Sequence, residues 1–147
     1  MNWSQKIEIG DILYCYFPFN KKTMEPSPFA HYVLVIDLDK NSKNLPIYLT
    51  VAYGTSKKTD PNDIYQSELL VTEERCSSFC NSGLLKPTKF DLINSLYLPY
   101  NSKYFVRNPN KLLLHPKQGN LDFYCNDDIN SQMIDIAKYL KSIGHIY

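Results

Sequence analysis

Glycine is scarce in this chain, with five in 147 residues. They stand too far apart to write a G-x-G-x-x-G turn or a G-x-x-x-x-G-K phosphate loop, which excludes the nucleotide-cofactor classes built on those loops. No H-E-x-x-H helix and no G-x-S-x-G elbow occurs either. Histidine is scarcer still, at three. The four cysteines (Cys15, Cys76, Cys80 and Cys125) hold one close pair with no second pair at ligand spacing, so neither a metal site nor another cofactor is expected. Long apolar runs are missing: none reaches the roughly 18–20 residues of a membrane span. The start, M-N-W-S-Q-K-I-E-I-G, has no apolar core segment of a signal peptide. A cytoplasmic protein with reduced, largely buried thiols is the expectation. Excess charge is also missing. At a net charge of +1, a polyanionic partner must be met by a local patch, because the molecule has no strong overall field.

What the chain does have is apolar patterning. In I-E-I-G-D-I-L-Y-C-Y-F-P-F, residues Ile7, Ile9, Leu13, Cys15 and Phe17 fall on one side, interrupted by Asp11, as a strand requires. After a loop with two prolines and the pair Lys21–Lys22, H-Y-V-L-V-I-D-L-D is apolar on both faces, which suits a strand buried on both sides. L-P-I-Y-L-T-V-A-Y alternates again and ends in G-T-S-K-K-T-D-P-N-D, a polar loop. E-L-L-V-T reads as a short strand. E-E-R-C-S-S-F-C-N-S-G-L reads as a short helix closed by Gly83, which would put Cys76 and Cys80 on one face. P-T-K-F-D-L and S-L-Y-L-P-Y read as two strands joined by a turn, and L-L-L-H at 112–115 as an edge strand. In the tail the period changes. Ile129, Met133, Ile136, Leu140 and Ile143 form one helical stripe, with Asn126 as its cap and Gly144 as its end. One domain follows: an antiparallel β-barrel or sandwich over about 7–115, with a C-terminal helix over about 127–143 packed across it.

Three polar groups stand at strand ends: His31, Gly54-Thr55-Ser56-Lys57-Lys58, and Lys86-Pro87-Thr88-Lys89. Each has a plain structural reading, as an edge histidine, a turn and a solvated surface. Their order gives them weight. G-D-I-L-Y-C-Y-F-P-F, then H-Y-V-L-V-I, then L-T-V-A-Y-G-T-S, with the later G-L-L-K-P-T-K-F-D-L and S-L-Y-L-P-Y, resembles the PemK/MazF family of toxin endoribonucleases over roughly residues 8–105.

The resemblance implies a small SH3-like barrel, usually a homodimer, that cuts single-stranded RNA without a metal. Attack by the neighbouring 2′-OH leaves a 2′,3′-cyclic phosphate and a 5′-OH, and an antitoxin protein blocks the RNA groove. The family's arginine at the head of its R-P-V-L-V-I strand falls on His31, followed here by Tyr32. Its Thr or Ser at the end of the next strand falls on Thr55, with Ser56 adjacent. Histidine lacks the planar fork with which arginine clamps phosphate, yet it moves protons near neutrality. Catalysis is therefore expected at His31, Thr55 and Ser56, and RNA contact at Lys21, Lys22, Lys57, Lys58, Lys86 and Lys89. The exchange at His31 keeps a second reading open, a catalytically silent barrel that binds RNA or protein, or mimics a toxin.

Overall fold

The structure, a computed structural model, describes residues 3–145. Six strands among them form one sheet: β1 (Asp11–Cys15), β2 (His31–Lys40), β3 (Pro46–Thr55), β4 (Glu68–Val71), β5 (Thr88–Pro99) and β6 (Lys117–Asn120). Every ladder is antiparallel, and the order β4-β5-β3-β2-β1-β6 curls into a half-barrel. The helix α1 (Asp127–Ser142) completes the expected mainly β fold with its C-terminal helix.

The apolar character of β2 on both faces has its cause in two separate cores. Leu34 joins Ile12, Ala52, Leu69, Phe90, Ile129, Ile136 and Leu140 on the helix side of the sheet. Val33 and Val35 join Leu13, Cys15, Phe17, Val51 and Phe105 on the other side. Ile7 belongs to that second core, whereas Ile9 is exposed and lies outside β1. Burial of a large aliphatic or aromatic side chain contributes about 1.5–3 kcal/mol, so β2 is stabilised from both directions.

The helix begins where its cap predicts. Asn126 Oδ1 accepts from Ile129 N at 3.0 Å, and Asp127 and Asp128 in the first turn oppose the positive helix end. Gly144, at φ 75°, ends it. From the middle of α1, Gln132 reaches the open edge of β4. Its amide accepts from Leu70 N at 3.0 Å and donates to Leu70 O at 2.9 Å, covering an edge that would otherwise be free to pair.

Four expectations need correction. The helix expected over 73–83 is a series of turns with one short 3-10 segment, Phe79–Asn81, where the Thr72 and Ser82 hydroxyls bond the local backbone instead. Cys76 is therefore buried and Cys80 exposed, so the two sulfurs do not share a face, and Cys125 is exposed as well. The two strands expected in 87–100 are one strand, β5, carrying a bulge: Ala52 pairs with Ser95 but Tyr53 pairs with Asp91. The edge strand expected at 112–115 forms at Lys117–Asn120 instead, beyond Pro116, and leaves Leu112 and Leu114 exposed. No helix among the described residues is long and apolar enough to cross a membrane.

Candidate nucleic-acid interface

His31 opens β2 opposite Cys15, the last residue of β1. Its half-buried ring is held by the edges of Phe19 and Tyr53, at centroid distances of 5.6 and 5.3 Å, and those two rings meet at 4.9 Å. Burial lowers its pKa from the usual 6.5, because the charged imidazolium loses hydration. The ring is thus neutral at physiological pH and able to accept a proton.

Gly54 brings the end of β3 against β2. A Cβ there would lie 2.6 Å from the Phe90 ring and 2.7 Å from Tyr32 O, so only glycine permits the approach. Thr55 follows directly. Its Oγ1 accepts from Lys57 N at 3.2 Å, which turns the chain and leaves its own O–H free to donate outward.

These residues line one open cleft of about 300 Å³. His31 and Tyr32 come from β2, Tyr53 and Thr55 from β3, Ser56 and Lys57 from the following loop, and Leu85, Lys86 and Thr88 from the approach to β5. Tyr14 of β1 adds a wall, its ring 5.3 Å from that of Tyr32. Ser56, Lys57 and Lys86 are exposed at the rim. The fold therefore joins His31, Thr55, Ser56, Lys57 and Lys86 at one place.

The remaining lysines stand elsewhere. Lys21 lines a second hollow that shares Tyr53 and Thr55 with the cleft. Lys22 is exposed on the 16–29 loop, its N–H bonded to Asn20 Oδ1 at 3.0 Å. Lys58 is exposed at φ 53° in the loop that follows β3. Lys89 is buried and paired with Glu68 at 3.4 Å, so its charge is already met inside the protein.

Sequence reasoning missed the aromatic walls. Tyr14 and Tyr32 lie between core positions on their strands, and among twelve tyrosines nothing in the pattern marked them out. It also missed Arg107. With Tyr14, Tyr16 and Phe29, Arg107 lines a third depression, which shares Tyr14 and Ala30 with the cleft. The other arginine, Arg75, is paired with Asp128 at 3.5 Å. The three hollows thus run on from one another, with Lys21, Lys57, Lys86 and Arg107 along them and aromatic rings between. No group of three or more metal-ligating side chains occurs among the described residues. No protein-family model and no curated protein sequence matches the chain.

Proposed function

We propose that this protein is a PemK/MazF-like endoribonuclease that binds single-stranded RNA along the row of hollows and cuts it at His31. The observation that carries the reading is the cleft itself. A neutral imidazole, a hydroxyl free to donate and two lysines come from distant parts of the chain to one aromatic-walled place. Single-stranded RNA needs such a surface: cations that follow its phosphates, and rings on which unstacked bases lie.

In this reading His31 takes the proton of a ribose 2′-OH, and the freed oxygen attacks the adjacent phosphorus. The P–O5′ bond breaks. The products are a 2′,3′-cyclic phosphate and a 5′-OH, whose oxygen takes its proton from a hydroxyl or ammonium in the same cleft. Lys57, Lys86 and the Thr55 hydroxyl face the charge that gathers on the phosphoryl oxygens. Ser56, exposed beside Thr55, is a second donor to the same oxygens. A homodimer and an antitoxin that covers the cleft belong to the same proposal, with Lys21, Lys22, Lys57 and Lys58 suited to an acidic segment.

The second reading, a silent RNA-binding barrel, draws on the ring packing of His31, which would also suit a purely structural histidine. Incubation of the purified protein with an unstructured RNA, with and without EDTA, separates the two. Discrete fragments ending in cyclic phosphate, formed in both conditions, are expected. Retention of intact RNA selects the silent barrel, and absence of both cleavage and retention rejects the RNA reading.

A further inference from the structure

The hollow beside the cleft has a character of its own. It measures about 370 Å³ and is lined by Phe17, Pro18, Phe19, Lys21, Tyr53, Thr55, Glu68, Asp91 and Asn94. Its lining combines aromatic rings with hydrogen-bond acceptors. The bulge in β5 causes this: the three residues between the Asp91 and Ser95 pairings are extra, and they turn Asp91 and Asn94 toward the hollow.

The acceptors are fixed in place. Asp91 Oδ1 accepts from Ser67 Oγ and from Ile93 N, both at 3.2 Å. Its Oδ2 accepts from Asn94 Nδ2 at 2.6 Å and keeps a lone pair unused. With that nitrogen engaged, the Asn94 amide has its oxygen left to offer. Glu68 is held in the lining by Tyr65 N at 2.9 Å and by Lys89 Nζ at 3.4 Å. Lys21 is the charged donor of the lining.

We infer that this hollow is a base-reading subsite for guanine, one nucleotide away from the bond cut in the cleft. The inference rests on the RNA reading above. Guanine alone among the four bases offers adjacent ring N–H and amino donors, which match a carboxylate and an amide oxygen, together with a keto oxygen for Lys21. Uracil would turn carbonyl oxygens toward Asp91 and Glu68. Phe19 and Tyr53 supply the faces and edges against which the purine packs.

The test titrates the isotope-labelled full chain with GMP, AMP, CMP and UMP, following backbone amides by NMR. All four carry the same phosphate, so a difference among them reports the base. GMP is expected to bind about tenfold more tightly than UMP, the scale of one good bidentate base contact. The largest shifts should fall at Phe19, Tyr53 and residues 91–94. Asp91→Asn and Asn94→Ala should each remove most of the preference, and the exposed Asn94 can be changed without opening the core. Equal binding of the four nucleotides, a preference for another base, or a guanine preference that survives both variants overturns the subsite. Filter binding of a mixed-sequence RNA distinguishes the two failures. RNA held without base preference defeats the subsite alone, whereas absence of both RNA and nucleotide binding defeats the RNA reading with it.

Discussion

The two ends of β1 treat polar groups in opposite ways. At its first residue, Asp11 is completely buried and fully engaged. Its carboxylate accepts from Glu8 N at 2.7 Å and Asn120 Nδ2 at 2.6 Å, and pairs with Lys117 at 3.2 Å. At its last residue, Cys15 pairs with His31, where the imidazole, the Thr55 hydroxyl and the Lys57 and Lys86 ammonium groups open onto a cleft. One end joins β1 to the N-terminal segment and to β6. The other leaves its donors and acceptors open to the cleft. Polar residues at strand ends are alike in sequence, and these two ends differ in whether the fold has already supplied their partners.

Breaking the closed end should have the largest effect. Asp11→Ala strands the Glu8 N–H, the Asn120 amide and Lys117, and should cost roughly 3–5 kcal/mol in urea unfolding, the scale for opening a buried pair. Asp11→Asn should cost less, because its one amide oxygen can still accept from Glu8 N or Asn120 Nδ2. Burial already raises the Asp11 pKa above its usual value, so the ionised form is held at a penalty that the amide does not incur. That penalty is relieved as pH falls through the raised value, so Asp11 itself adds no acid sensitivity. Equal losses in the two variants would show that this end needs both carboxylate oxygens as acceptors.

At the open end, His31→Ala should lower the cleavage rate about a hundredfold or more, the scale of a lost general base. Its unfolding midpoint should move much less than that of Asp11→Ala. The pH profile sharpens the point. With the folded pKa below 6.5, neutral imidazole persists as pH falls through 6.5, so the acid limb of the rate should lie below that value. The unfolded chain protonates first, so stability should decline slightly between 6.5 and the lower folded pKa. A limb above 6.5 would remove His31 as the base. Thr55→Val comes next, with a rate roughly tenfold lower and RNA affinity nearly kept, since its donor acts on developing charge.

Smallest is the difference in salt dependence between Lys86 and Lys89. Lys86→Ala should reduce the salt slope of RNA binding by about 0.7, the single-strand value for one phosphate contact, with unchanged stability. Lys89→Ala should leave that slope alone and instead destabilise the fold, because Glu68 would remain buried without its cation. A change of slope in Lys89→Ala would mean that the Glu68 pair opens when RNA binds.

Much of the scaffold was legible because it follows from local rules. The alternation of β3, the two-sided apolar character of β2 and the 3–4 stripe with Asn126 and Gly144 on α1 are periodicities that the chain carries with it. The sequence by itself determined these elements, the mainly β class with a C-terminal helix, and the placing of His31, Thr55 and Lys86 at strand ends. Which polar residues are spent inside and which face outward was a different matter. Lys86 and Lys89 are three residues apart and read alike; only the pairing of β4 with β5 brings Glu68 to one of them. Likewise the β5 bulge that points Asp91 and Asn94 into a hollow arises from the register against β3 and carries no mark of its own in the sequence. Tertiary structure decided these because burial and pairing depend on residues distant in the chain, and local pattern holds no record of them.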